Sequence, residues 1–117
     1  MKKIFASIIV LLSFSQVHAF DMSKLGSVHT SVIDTANVLS ATDKTELESK
    51  IAELRKKYTI EILTVIIPST DGEEISSVAT QIGQTVGVGK SDKDNGLVLL
   101  IAINDRAWNI ATGYGME

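Results

Sequence analysis

The sequence has no cysteine and only two histidines, and these shortages exclude several kinds of chemistry. Without cysteine the chain has no disulfide, no thiolate nucleophile and no cysteine-ligated zinc. His18 and His29 both lie near the start, so a histidine-based catalytic site in the body of the domain is excluded. The sequence also contains no nucleophilic-serine elbow, metalloprotease helix or cysteine-phosphatase signature.

Proline and long apolar runs are scarce as well, and the one early apolar run has the marks of an export signal. The chain has 117 residues, enough for one domain. Lys2 and Lys3 precede an apolar stretch over residues 4–14, and small residues before Phe20 suit cleavage. The alternative, a membrane anchor, would need a longer run. We therefore expect residues 1–19 to be a signal peptide and the protein to be periplasmic or secreted.

Basic residues are few once the signal peptide is set aside. Removal of Lys2 and Lys3 lowers the basic count from 11 to 9 against 14 acidic residues, so the net charge falls from −3 to −5. Nucleic-acid binding calls for a basic stripe, which this chain lacks. Nucleic acid is therefore not an expected partner.

The rest of the chain alternates strand-like and helix-like patterns. Residues 20–30 are polar and without period, so we expect a loose N-terminal arm before a domain over residues 31–117. Strands are predicted at 31–33, 60–67, 97–103 and 107–112, and helices after Ser40 and over 75–86. The order β-α-β-α-β-β predicts an α/β fold, a mixed sheet flanked by helices whose last two strands form a hairpin.

This closing hairpin organises the predicted fold. Residues 97–103 show almost no polar alternation, so we expect a central strand buried on both faces. Such a strand spans roughly 23 Å, so Asp94 and Asp105 lie at opposite ends and cannot share a metal ion. The hairpin brings Asp94 and Asn95 back towards residues 113–117. Trp108 is expected in the core or covering the sheet.

The polar ends of this hairpin allow more than one interpretation. Residues 87–91 resemble a phosphate loop, but Gln84 stands where a glycine is required and a helix precedes, so no nucleotide is expected. The glycine spacing after Asp92 also excludes an EF-hand. Asp94 and Asn95 supply hard oxygen ligands for Ca²⁺ or Mg²⁺, or they merely turn the chain; spacing alone favours the turn. Asp105 and Arg106 are expected to form an ion pair within their turn.

Four short motifs, taken together in this order, resemble the TPM domain family. They are residues 34–40 (DTANVLS), 94–97 (DNGL), 104–106 (NDR) and 113–117 (GYGME). The family includes a plant thylakoid-lumen protein of photosystem II repair and many bacterial exported proteins. The resemblance implies an α/β sandwich; some members are described as acid phosphatases, and some bind calcium or another divalent cation. Nothing in the sequence supports a quinone cofactor.

Carried over residue by residue, the resemblance implies metal ligands at Asp34, Asp94, Asn95 and Glu117. The hairpin is expected to bring Asp94, Asn95 and Glu117 to one end of the sheet. If the first strand runs parallel to the central strand, Asp34 lies at the opposite end. Because the family continues into a further helix, we expect a chain truncated at its C-terminus. The missing part is expected to cover one face of the sheet. A membrane contact is expected only through this missing C-terminal segment. Two hypotheses follow. One is a calcium-binding module that supports an unidentified envelope protein partner; the other is a metal-dependent hydrolase of the acid-phosphatase type.

Overall fold

The computed structural model describes residues 20–26, 30–88 and 95–113, and these form one mixed sheet with two helices. A short 3₁₀ helix at Met22–Leu25 comes first. The elements that follow are β1 (Val32–Asp34), α1 (Ala41–Tyr58), β2 (Glu61–Ile67), α2 (Ile75–Val86), β3 (Gly96–Ala102) and β4 (Ala107–Thr112). The predicted order β-α-β-α-β-β is therefore confirmed.

The sheet has the strand order β1-β2-β3-β4. β1 pairs with β2 and β2 with β3 in parallel, and β3 pairs with β4 antiparallel. The parallel pairs follow from helical crossovers, and the antiparallel pair follows from the short turn between β3 and β4. The mixed sheet is as predicted.

Local signals set the ends of both helices. The hydroxyl of Ser40 accepts a hydrogen bond from the backbone N–H of Asp43, whose carboxylate in turn accepts one from the N–H of Ser40. This capping box satisfies two N–H groups that the helix cannot pair itself. The residues that cap the C-termini of α1 and α2 are Thr59 and Gly87, and both have a left-handed backbone conformation.

The main hydrophobic core lies between α2 and one face of the sheet. Val78, Ala79 and Ile82 of α2 are fully buried. Alternate residues of the central strands point towards them because successive side chains of a strand face opposite sides. These are Leu63, Val65 and Ile67 of β2 and Val98, Leu100 and Ala102 of β3.

The opposite face of the sheet is covered over only part of its width. α1 contacts β1 and β2 there, with Ile51 buried over strand residues that include Val32 and Ile66. On this face, in the part of the chain that the structure describes, no helix covers β3 or β4; α2 packs on the other face of both strands. The side chains of Trp108 and Ile110 are 66% and 48% exposed.

One expectation about the hairpin is therefore wrong, and another is narrowed. β3 is central, but it is not buried on both faces: Leu97, Leu99 and Ile101 are only half-buried on the open side. Trp108 pairs with Ile101 on that side and is exposed, so of its two expected places the core is excluded and the surface of the sheet remains. The hydropathy of a strand reports what its faces could bury, whereas coverage depends on where the helices lie.

The segment of residues 20–26, expected to be loose, packs against the main core. Phe20 and Leu25 are 8% and 6% exposed, and Met22 packs beside them. The Nζ of Lys24 lies 2.7 Å from a carboxylate oxygen of Asp71, in the loop after β2. Three apolar residues are too few to reveal a period, so the sequence pattern missed this contact.

Neither α1 nor α2 is both long enough and apolar enough to span a bilayer; this finding covers only the residues that the structure describes.

Candidate functional site

The polar groups of this sheet lie at two rims. The carboxyl rim, where β1, β2 and β3 end, comprises residues 34–35, 68–70 and 103–105. The amino rim, where β2 and β3 begin and β4 ends, comprises residues 59–61, 95–96 and 112–113. In α/β sheets with parallel strands, ligands usually bind beyond the carboxyl ends of the strands. Three of the four predicted metal ligands, however, are expected at the amino rim. The side chains at both rims are therefore described.

Asp34 and Asn95 lie at opposite rims. Asp34 pairs with Ile66 in the register of β1 and β2, while Asn95 immediately precedes Gly96, whose β2 partner is Glu61. Ile66 lies five residues along β2 from Glu61, which is roughly 17 Å. Asp34 and Asn95 therefore do not belong to one site. This separation is what the sequence predicts for a first strand that runs parallel to the central strand.

The carboxylate of Asp34 has a structural use. It accepts hydrogen bonds from the backbone N–H groups of Val38 at 3.3 Å and Leu39 at 2.8 Å. These bonds fold the connection between β1 and the start of α1 around the carboxylate. Asp, Asn and Ser side chains commonly close turns in this way.

At the amino rim, the two ends of the hairpin meet. The N–H of Gly113 donates to the carbonyl oxygen of Gly96 at 3.0 Å, so the chain enters β3 and leaves β4 side by side. Asp94 and Glu117, the two carboxylates predicted for this rim, lie outside the described residues. Asn95, which the structure does describe, is 7% exposed.

Asn95 ties three elements together. Its side-chain Nδ2 donates to the carbonyl oxygen of Thr59, the residue that ends α1. Its own carbonyl oxygen accepts from the N–H of Glu61 at 3.1 Å, at the start of β2. Thr59 itself has φ 56° and ψ 37°, a left-handed conformation that is rare for a β-branched residue.

Asp105 organises the carboxyl rim. One carboxylate oxygen accepts from the hydroxyl of Ser69 at 2.9 Å, and the other accepts from the backbone N–H of Thr70 at 2.8 Å. The hydroxyl of Thr70, 3.1 Å from Asp105, also lies 2.8 Å from the carbonyl oxygen of Glu73. These donors, the backbone N–H of Thr70 foremost, lower the pKa of Asp105 below its ordinary value of 3.8.

The expected ion pair between Asp105 and Arg106 is wrong. Among the described residues the one ion pair joins Lys24 to Asp71. Arg106 adopts φ 50° as the chain turns into β4. Asp105 instead pairs across to the loop after β2, because β2 and β3 run parallel and end at the same rim.

No group of three or more histidine, cysteine, aspartate or glutamate residues is close enough to hold a metal ion among residues 20–26, 30–88 and 95–113. The metal hypothesis therefore depends on Asp94 and Glu117. Both would supply carboxylate oxygens, the donors that Ca²⁺ prefers.

Two features escaped the sequence interpretation. One is the contact of Asp105 with Ser69 and Thr70. The sequence held a signal for this contact, because Ser69-Thr70 and Asn104-Asp105 each come within three residues of the end of a strand, and these strands, β2 and β3, are parallel neighbours. The other is the contact of Asn95 with Thr59, two residues that are 36 positions apart. No local pattern could have predicted that pair.

The sequence model of the TPM domain family matches residues 32–117. Among solved structures, the chain is similar to the N-terminal domain of a protein from P. gingivalis, with 26% identity and a TM-score of 0.70. That match covers 80% of this chain and 60% of the other. Among curated proteins, none matches the chain.

The fold is also similar to the N-terminal domain of a Corynebacterium glutamicum protein. Here the TM-score is 0.65 and the identity 22%, over 77% of this chain and 57% of the other. At this identity the similarity concerns the fold alone. The chain thus spans about three fifths of the length of either solved domain.

Proposed function

Because the chain belongs to the TPM domain family, we propose that it is an exported calcium-binding module whose amino rim supports a protein partner in the cell envelope. The observation that carries the proposal is the contact between Gly113 and Gly96, which joins the two ends of the hairpin. In the sequence, Asp94 stands two residues before Gly96, and Glu117 stands four residues after Gly113.

The chemistry of these residues fits the ion. Carboxylate and carbonyl oxygens are hard ligands that suit Ca²⁺ better than a soft metal. At the rim that the sequence predicts for them, the carboxylates of Asp94 and Glu117 would repel each other, and a divalent cation between them would offset that repulsion. The bound ion would steady the two chain segments against each other, and a partner would then meet a defined surface.

The first experiment measures the melting temperature with and without calcium. The protein is expressed with residues 1–19 and purified after export, and mass spectrometry is expected to find Phe20 at its N-terminus. At a Ca²⁺ concentration ten times the Kd, linkage contributes about 1.4 kcal/mol. For a chain of this size we expect a rise in Tm of roughly 5–10 °C, which a chelator reverses.

Variants locate the ion. Asp94→Ala and Glu117→Ala are each expected to abolish the calcium-dependent rise in Tm. Glu53→Ala removes one carboxylate from the exposed surface of α1 and serves as the charge-matched control, with the rise retained. A wild-type Tm that does not respond to millimolar Ca²⁺ or Mg²⁺ would reject the metal site.

Asp34→Asn tests the remaining candidate ligand. Because Asp34 lies at the carboxyl rim and closes the turn before α1, this variant is expected to lower Tm by a few degrees. The additional rise on calcium binding should stay the same as in the wild type. Loss of that rise would mean that Asp34 takes part in the site.

A second function is favoured by the name of the matching family model, TPM_phosphatase. In a metal-dependent hydrolase the cation would offset phosphate charge and make a bound water a better nucleophile. The test is hydrolysis of p-nitrophenyl phosphate at acid pH, with and without Ca²⁺ or Mg²⁺. Turnover that Asp94→Ala abolishes favours the hydrolase, and a calcium-dependent rise in Tm without turnover favours the binding module.

A further inference from the structure

We propose that Asn95 is a positioning residue rather than a metal ligand: its side-chain amide fixes the strained end of α1 to the start of β3. The inference rests on the proposed function and deepens it, since Asn95 lies at the amino rim and directly follows the proposed ligand Asp94 in the sequence. It changes the role that the family resemblance implies for this residue.

The two helices end in the same conformation by different means. α2 ends at Gly87 with φ 74° and ψ 43°, which glycine adopts without steric cost. α1 ends at Thr59 with φ 56° and ψ 37°, where the β-branched side chain is strained. Such a residue keeps this conformation only when its surroundings enforce it.

The surroundings of Thr59 supply that constraint from both sides. Its N–H donates to the carbonyl oxygen of Arg55 at 2.9 Å, which closes the last turn of α1. Its carbonyl oxygen accepts from Nδ2 of Asn95, a residue that is only 7% exposed. Through its backbone, Asn95 also bonds Glu61 at the start of β2. The amide of Asn95 thus joins the end of α1 to the residue that directly precedes β3.

A ligand and a positioning residue respond in opposite ways to the substitution Asn95→Asp. A carboxylate keeps the shape of the side chain and adds a negative charge, so a true calcium ligand would bind the ion more tightly. A positioning amide loses its donor, and the new carboxylate faces the carbonyl oxygen of Thr59. The sign of the change in calcium affinity therefore separates the two roles.

The experiment compares Asn95→Asp with the wild type at pH 8, where the carboxylate is kept charged. We expect Tm without calcium to fall by roughly 5–10 °C. The Kd for Ca²⁺ alone, measured by calorimetry, is expected to rise about tenfold or more. Gln84→Glu is the matched control, because it makes the same amide-to-carboxylate change on the exposed side of α2.

A rescue variant tests the physical cause. In Thr59→Gly the left-handed conformation no longer needs enforcement, so the double variant Asn95→Asp with Thr59→Gly is expected to regain part of the lost Tm and calcium affinity. The rest of the loss should remain, because the carbonyl oxygen of residue 59 still faces the carboxylate. Thr59→Gly alone is measured as the reference. A role of Asn95 in general stability would give no recovery of calcium affinity beyond the effect of Thr59→Gly alone.

The outcomes separate this inference from the proposed function. Tighter calcium binding by Asn95→Asp, an unchanged Tm, or no rescue by Thr59→Gly would overturn the positioning role. If the wild-type protein binds no calcium, the proposed function fails, whereas the fall in Tm and its rescue still decide whether Asn95 fixes Thr59.

Discussion

The two rims of this sheet are each held by one side chain that joins two connections, but the chemistry is opposite. At the carboxyl rim, Asp105 accepts hydrogen bonds from Ser69 and Thr70 in the loop after β2. At the amino rim, Asn95 donates a hydrogen bond to Thr59 at the end of α1. The acceptor is exposed and the donor is buried.

The difference follows from the backbone groups that each connection leaves unpaired. The loop after β2 presents the N–H of Thr70, from which a carboxylate can accept a hydrogen bond. The end of a helix presents carbonyl oxygens, which need a donor such as an amide. A carboxylate at a strand end is therefore not by itself evidence of a metal site, and an asparagine beside a helix end is not by itself a ligand.

The largest effect is expected where the segment of residues 20–26 packs against the core near the carboxyl rim. Leu25 is 6% exposed, and Leu25→Ala should lower the free energy of unfolding by about 2–4 kcal/mol. Urea denaturation measures this change. The result would show that the stable unit begins before residue 32, where the family match starts. A loss below about 0.5 kcal/mol would mean that the segment contributes little.

The next effect tests the acceptor at the carboxyl rim. Asp105→Asn replaces one acceptor oxygen with an NH₂ group, which must face a donor, either the Ser69 hydroxyl or the Thr70 N–H. We expect Tm to fall by about 5 °C. Glu46→Gln, on the exposed surface of α1, is the control with no expected change. A Tm equal to that of the wild type would remove the contrast between the two rims.

A smaller effect should appear as a dependence on pH. The pKa of Asp105 is lowered in the folded protein, chiefly by the N–H of Thr70. Its contribution to stability is therefore complete above the ordinary value of 3.8 and is lost as the pH falls through the lowered folded-state pKa. The difference in Tm between the wild type and Asp105→Asn should shrink below pH 3.8. A difference that is constant from pH 6 to pH 2.5 would contradict this origin.

The elements of the fold were predictable because their signals are local. Ser40 and Asp43 mark the start of α1, Gly87 marks the end of α2, and a short turn separates β3 from β4. Parallel pairing of the first three strands followed from the intervening helices. Each of these inferences needs only neighbouring residues and a fixed period.

The errors concern contacts between distant parts of the chain. Trp108 is exposed because α1 lies over β1 and β2, a placement that no periodicity reports. Asp105 prefers Thr70 to its neighbour Arg106 because the register of β2 and β3 brings that N–H within 2.8 Å. The sequence offered Asn95 as a metal ligand or a turn residue; its hydrogen bond to Thr59 is set by the tertiary fold.

The smallest effect is expected for Lys24→Ala, next to Leu25. The distance of 2.7 Å between Lys24 and Asp71 suggests a strong contact, but the two side chains are 55% and 63% exposed. Water and salt screen such charges, and ordering two long side chains costs entropy, so Tm should change by less than about 1 °C. Thermal melts in 20 mM and 500 mM NaCl provide the measurement, with Leu25→Ala for comparison. A fall in Tm that matches that of Leu25→Ala and vanishes at high salt would mean that charge, rather than burial, fastens this segment near the carboxyl rim.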